Sequence, residues 1–407
     1  MITVALSPAI KPLIWTFIAL LASLPGLTRA QGNEVIRFNT RTHQFDTLAA
    51  VPFDASRTQD QTPFNRGLLP GLAMLPMALP ATGLSPSGAE YTQRQRAANY
   101  FTLNDYPVRT AVELFDMSTG QRAPICSGTL VGDRFVVTAA HCMSDFFTRM
   151  SIHQDSVLVE PAFNNGRPSG LPTAYAFRFY LFKSWFAGQW HDIALLELNR
   201  AIGRSVGWVG LGSNTNADFY RQSLWHKLSY PGIDITGRNR YNADTLFYEF
   251  GKAQLTQLTP YPMLSVPLHY DDIPGQSGSS FIRTDNTSYW TSYGVLSMGP
   301  ESMHTVLQIS QLAAFRRVLE TPAGPGSGQL QVYPNPMREE VVIELPGAFT
   351  GPVEVAFYNL LGQAVWQEQG MGPELHCRPP GLAAGSYVMR VVAAGQSFSR
   401  KVVKVTP

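Results

Sequence analysis

Between about residues 100 and 320 the chain is a succession of short β-type runs separated by Gly, Pro, Asn and Asp turns, and this punctuation restricts its fold more than any other feature. Examples are residues 108–115, 127–131, 135–139, 193–198, 223–229, 252–257, 279–283 and 289–296. The one convincing helical stretch, residues 311–319, comes last. Many short strands and one late helix predict an all-β barrel or sandwich architecture, and roughly 220 residues suit a pair of small barrels with the helix closing the domain.

The flanks read differently. Residues 1–30 carry Lys11, an apolar run over 13–24 broken by Pro25-Gly26, and then Thr28-Arg29-Ala30 before Gln31. That run is shorter than the roughly 20 residues needed to span a bilayer, so the pattern is that of a secretory signal peptide. Export to an oxidising compartment makes a disulfide between Cys126 and Cys142 plausible. Residues 31–99, with Pro70, Pro76, Pro80 and Pro86 in Leu- and Met-rich text, keep neither helical nor strand periodicity and read as a propeptide or leader. Arg94 and Arg96, in a polar stretch read as exposed, are candidate processing sites. Residues 322–330 include Gly324-Pro325-Gly326-Ser327-Gly328, a flexible linker by composition. Beyond it, alternating runs at 340–345, 353–358, 387–392 and 397–405 predict a second, small β domain over 331–407. Lys and Arg number 31 against 29 Asp and Glu, which gives no electrostatic pull toward nucleic acid.

Three segments carry chemistry. In Gly275-Gln276-Ser277-Gly278-Ser279 a serine sits between glycines, as a nucleophile held on a tight turn would. There the N–H groups of Gly275 and Ser277 can point at one place and form an oxyanion hole. In Val136-Val137-Thr138-Ala139-Ala140-His141-Cys142 a β-branched strand runs into small residues and an imidazole, so His141 is the candidate base. In Asp192-Ile193-Ala194-Leu195-Leu196 a carboxylate precedes a buried-strand pattern, and Asp192 is the candidate orienter of His141. His191, next to it, is the weaker candidate base.

These three segments, in the order His, Asp, Ser, resemble the motifs of the chymotrypsin-like serine proteases. Tyr230-Pro231-Gly232, the glycine-serine segment and the single Cys126/Cys142 pair are most similar to the bacterial glutamyl-endopeptidase branch. The resemblance implies a double β-barrel, trypsin-like fold with a C-terminal helix at residues 100–321. It also implies a Ser277, His141, Asp192 triad acting through an acyl-enzyme, with no cofactor or metal. The digestive members carry an aspartate before the nucleophile, which pairs with a new N-terminal amine on activation; here that position is the uncharged Gln276. Gly294-Val295-Leu296-Ser297-Met298-Gly299 resembles the strand lining the specificity pocket, which makes Leu296, Ser297 and Gly299 candidate substrate-binding residues. Asp271, six residues before Ser277, has the spacing of the pocket-floor aspartate in trypsin-like enzymes, with Asp272 next to it; buried carboxylates there would favour a basic side chain, or they serve only to structure the loop. Leu296 stands where glutamate-specific members often carry histidine.

Val332-Tyr333-Pro334-Asn335-Pro336, Tyr358-Asn359-Leu360-Leu361-Gly362-Gln363, Leu382-Ala383-Ala384-Gly385-Ser386-Tyr387 and Lys401-Val402-Val403-Lys404-Val405 resemble the type IX secretion system C-terminal sorting domain. That domain is a small β-sandwich of Bacteroidetes-type bacteria. The implied protein is a secreted or cell-surface serine endopeptidase, exported through the periplasm and outer membrane. It is expected to be monomeric, with peptide or protein substrates and the type IX machinery as partners. The rivals are a catalytically silent protease-like binding or adhesion protein and an esterase. Cys377, in the sorting domain, is assigned no role.

Overall fold

The computed structural model describes residues 34–40, 43–48, 92, 94–144, 157–188, 191–232, 241–258, 261–266, 274–284, 289–298, 303–320, 330–345, 351–372, 374–393 and 395–406. The proposed signal peptide, most of the proposed leader, Asp271, Asp272, Gly299 and nearly all of the linker lie outside them. In chain order the strands are β1 (Val35–Asn39), β2 (Gln44–Leu48), β3 (Gln95–Arg96), β4 (Ala111–Asp116), β5 (Ala123–Leu130), β6 (Phe135–Thr138), β7 (Val157–Pro161), β8 (Ala174–Phe182) and β9 (Ala194–Leu198). Then follow β10 (Gly210–Leu211), β11 (Trp225–Ser229), β12 (Phe247–Gly251), β13 (Gln254–Leu258), β14 (Tyr261–Ser265), β15 (Ser280–Thr284), β16 (Trp290–Met298) and β17 (Met303–Val306). The expected late helix is Ile309–Glu320.

Strands β8-β7-β4-β5-β6-β9 pair in that order, and β9 pairs back onto β8, closing a six-stranded barrel. β13-β14-β17-β16-β15-β11-β12 form a second sheet that curls as a half-barrel, with β10 alongside β16. The barrel strands read as continuous rather than alternating hydrophobic runs because both of their faces are covered. β6 and β9 are buried at every position. Trp185 fills the first barrel's core beside Phe179, Leu181 and Leu196, and its indole N–H donates to Ser144 Oγ at 2.8 Å. Phe315 of the closing helix stacks on Phe182 with ring centroids 4.8 Å apart, which fastens the helix to the first barrel.

Two parts of the stretch read as leader belong to these sheets. β1 pairs with β8 along its whole length, from Val35 opposite Phe182 to Asn39 opposite Arg178, and β2 folds back on β1. β3 pairs with β12, and Ala97 just after it is wholly buried in the main core. Arg94 was expected to be exposed, yet its side chain is 5% exposed and ion-paired to Glu249; Arg96 is exposed. The sequence misleads here because these segments are short, and backbone pairing to distant strands, not their own apolar pattern, gives them their conformation.

Residues 330–406 form a separate sandwich. One sheet is β18 (Gln331–Tyr333), β19 (Val341–Glu344) and β22 (Glu374–Cys377); the other is β20 (Pro352–Tyr358), β21 (Ala364–Met371), β23 (Gly385–Ala393) and β24 (Gln396–Lys404), in the order β21-β20-β23-β24. β20 and β23 alternate exposed and buried positions. Val353, Val355, Phe357, Met389 and Val391 thereby face Val341 and Ile343 of the other sheet. Asn335, between two prolines, ties the start of the domain to its end: its amide donates to Lys401 O at 2.9 Å and accepts from Val403 N–H at 2.8 Å. Arg338 donates to Thr119 O of the first barrel at 2.9 Å. Cys377 is buried, and burial above all pushes its thiol up to about 12, so it is held as an unreactive thiol.

One buried charge is anomalous. Glu113 on β4 lies directly opposite Glu160 on β7, and neither of its carboxyl oxygens has a hydrogen-bond partner among the described residues. Burial first, then the charges of Glu160 and Asp244, push Glu113 up to about 10, with Arg122 offsetting part of this. Because the unfolded value is about 4.3, the folded state holds a proton that the unfolded chain releases, so this group's contribution is complete below about pH 4 and is lost progressively as pH rises toward the folded value. Glu113→Gln keeps the neutral shape without the titration. Its melting temperature is therefore expected to exceed that of the unmutated chain by a margin that widens between pH 5 and pH 8, at roughly 2–4 °C per kcal/mol. An identical margin at both pH values would refute the assignment.

Candidate active site

The first barrel supplies the imidazole and the carboxylate. β6 ends at Thr138, and Ala139 and Ala140 are wholly buried, so the chain turns without a large side chain into the 3-10 turn Ala140–Cys142 that carries His141. Cys142 is bridged to Cys126 on β5, with Cα atoms 6.1 Å apart, which braces this turn against the barrel wall. Thr138 is the register partner of Ala194 on β9, so Asp192, just ahead of β9, emerges at the same barrel end as His141. The backbone N–H of His141 donates to Asp192 Oδ1 at 2.8 Å, and ring Nδ1 lies 2.7 Å from Asp192 Oδ2. Ser297 Oγ donates to the same Oδ2 at 2.5 Å. Asp192 is fully buried, and with three hydrogen bonds converging on it the carboxylate has one position. The imidazole is held with Nδ1–H toward Asp192, leaving Nε2 as the basic nitrogen. Burial pulls the His141 imidazolium down, but the charge and hydrogen bond of Asp192 outweigh it, and the net shift is upward.

The half-barrel supplies the serine turn, between Pro274 and the start of β15. Gly275 has φ +92°, and a Cβ there would lie 2.5 Å from Tyr230 O and 2.9 Å from Gly232 N. Gly278 has φ +82°, and its Cβ would meet Thr138 Oγ1 at 2.1 Å and Ser127 O at 2.4 Å. Both positions therefore demand glycine, by conformation and by space. Thr138 and Ser127 belong to the first barrel, so the turn seats directly against the strand that leads to His141. Ser127 N–H donates to Ser277 O at 2.9 Å, and Ser127 Oγ donates to Gly275 O at 2.8 Å while accepting from Tyr230 N–H at 2.9 Å. Ser127 follows Cys126, whose bridge partner follows His141. The serine turn and the imidazole turn are thus held by the same few residues. Ser277 itself is partly exposed, and among the described residues the N–H groups of Gly275 and Ser277 meet no backbone acceptor.

The other candidates fall out as follows. Leu296 is 2% exposed and its backbone brackets the serine turn, accepting from Gly278 N–H and donating to Ser279 O, each at 2.8 Å. Ser297 turns its hydroxyl to Asp192. Asp271, Asp272 and Gly299 lie outside the described residues. His191 is buried and bonded through Nδ1 to Ser184 Oγ, and burial pulls it down to about 4. The donor atoms of Cys126, His141 and Cys142 lie within 4.8 Å of one another, but both sulfurs are consumed in the disulfide and offer no thiolate to a metal. Ser127 and the Ser297 to Asp192 bond had no sequence signature, since a serine inside a strand announces nothing about its partner.

Residues 105–248 match the Trypsin family, a span that includes His141 and Asp192 and stops before Ser277. Residues 331–405 match the secretion system C-terminal sorting domain. Serine protease 23 of Bos taurus is 35% identical over 130 residues, 27% of this chain and 32% of its own length. Glutamyl endopeptidase of Bacillus licheniformis is 28% identical over 196 residues, 44% of this chain and 59% of its own length. The chain thus spans less than two thirds of either relative. A solved structure of a Glu endopeptidase in complex with MPD aligns over 56% of this chain and 96% of its own, at 17% identity and a TM-score of 0.45. The chain carries a trypsin-family domain followed by a secretion system C-terminal sorting domain.

Proposed function

We propose that this protein is a secreted serine endopeptidase that cleaves peptide bonds through an acyl-enzyme. Ser277 Oγ attacks the scissile carbonyl carbon while His141 Nε2 takes its proton, and the tetrahedral oxyanion is held by the N–H groups of Gly275 and Ser277. His141 then gives the proton to the leaving amine, and water repeats the sequence to release the acid. Asp192 keeps His141 in the required tautomer and stabilises the imidazolium. The observation that carries this reading is the two-point grip of Asp192 on His141, at 2.8 and 2.7 Å, beside a glycine-bounded serine turn bonded to the same barrel wall. The sorting domain supports export by the type IX secretion machinery, with a secreted or cell-surface location.

Ser277→Ala is expected to lower turnover of denatured casein by several orders of magnitude and to abolish labelling by a fluorophosphonate probe, with the melting temperature nearly unchanged. Equal casein cleavage by both proteins, or no labelling of either, would instead favour a silent binding protein. Ester turnover without peptide turnover would mark an esterase. Cleavage needs neutral His141, so kcat/KM rises through that group's pKa on the acid side. Asp192→Asn removes the upward pull on His141 while burial remains. The acid limb of the pH profile should therefore move to lower pH as kcat falls about 10⁴-fold. An acid limb that stays in place would count against Asp192 as the partner.

A further inference from the structure

The residue before the nucleophile is gripped from beneath by a buried charged cluster that the mechanism above does not use. Gln276 is fully buried. Its amide nitrogen donates to Ser229 Oγ at 2.8 Å and to Glu249 Oε2 at 3.2 Å, and its amide oxygen accepts from Arg94 Nη2 at 2.9 Å. Glu249 is fully buried and ion-paired twice, to Lys227 Nζ at 3.2 Å and to Arg94 Nη2 at 3.6 Å. Lys227 and Glu249 face each other across β11 and β12. Arg94 is delivered to them by the segment pinned along β12: Thr92 N–H donates to Phe250 O at 2.8 Å on one side of it, and β3 pairs with Phe247 and Tyr248 on the other. The Arg94 guanidinium also lies over the Tyr241 ring, 5.2 Å from its centroid.

We infer that Arg94 is a positioning residue for the oxyanion turn, an inference that rests on the proposed protease reading. Gln276 lies between the two residues whose N–H groups would hold the oxyanion, so fixing its side chain fixes the peptide that aims the Ser277 N–H. Lys227 and Glu249 alone make a neutral buried pair; Arg94 adds a cation whose fork reaches both Glu249 and Gln276, linking the turn to that pair. In the digestive enzymes this coupling comes from a terminal amine created by cleavage. Here a side-chain cation already in the folded chain occupies that role. The turn is therefore built without a freed amine, and residues 92–96 belong to the working enzyme. A cut directly after Arg94, the processing site its sequence context suggests, would sever the guanidinium from β3, which holds it along β12, and disarm the turn. An activating cut must lie before Thr92.

The test uses the full chain with Arg94→Ala, Arg94→Lys, Gln276→Ala and the Arg94→Ala/Gln276→Ala double variant, with the unmutated protein and Ser277→Ala as references. Because Lys227 still neutralises Glu249, Arg94→Ala is expected to fold. Its kcat on a chromogenic ester should drop about 100-fold, as for a misplaced catalytic group, while KM stays close to that of the unmutated chain. Added guanidinium should restore part of the rate, Arg94→Lys should fall between, and the double variant should be no slower than Gln276→Ala alone. An unchanged kcat in Arg94→Ala overturns the inference, as does a loss shared equally by kcat, KM and thermal stability without guanidinium rescue. If Arg94→Ala fails to fold, Arg94→Lys and Gln276→Ala decide: full kcat in both overturns it. Should the unmutated chain itself fail to react with a fluorophosphonate, the protease reading fails and this inference falls with it, whereas the variant outcomes above overturn this inference alone.

Discussion

The two halves of the trypsin-family domain meet where Gly278 presses on Thr138 and Ser127, a contact too close for any side chain at that position. Everything that the site needs depends on this approach. The barrel holds an imidazole and a carboxylate, neither of which does peptide chemistry alone, and the half-barrel holds a serine without a base. Close packing at one glycine seats the serine turn of the half-barrel against the barrel strands that lead to His141. Side chains that would otherwise roam are held by backbone N–H groups and by a disulfide, which is how preorganisation is achieved without spending flexibility near the reacting atoms.

Much of this was legible in the sequence because the informative residues are local. The glycines around Ser277, the small residues ahead of His141 and the carboxylate ahead of a buried strand each form a pattern complete within a few positions. The strands β5, β6, β9, β11 and β15 could likewise be read within a residue or two or, for β5, four of their observed ends. What could not be read depends on distant partners. Val35 and Phe38 are the only deeply buried apolar residues of β1, too few to form a pattern, and its conformation comes from β8. Arg94 reads as a solvated linker arginine because its partners, Glu249 and Gln276, come from the far half of the domain.

Buried charge is handled in two opposite ways. Around Gln276 the charges are paired and hydrogen-bonded, which holds geometry at the cost of desolvating three ions. Between β4 and β7, Glu113 is instead kept neutral by its surroundings. The first arrangement lies under the serine turn and fixes a direction. The second lies in the barrel wall and makes stability sensitive to pH, without touching the reacting groups.

The pairing of β1 with β8 and of β3 with β12 also bears on how the chain reaches its native state. These are long-range contacts, and topologies dominated by such contacts fold slowly because loop closure must precede the reward of pairing. The barrel wall can accept its first strand only after the middle of the chain exists, and the half-barrel edge waits longer still. An exported chain that emerges from its amino end must keep residues 35–48 and 92–96 available and uncut until their partners arrive. Any proteolytic trimming of the amino-terminal region would thereby be ordered in time: folding would have to come first, because a protease that acts too early removes structure rather than a cover.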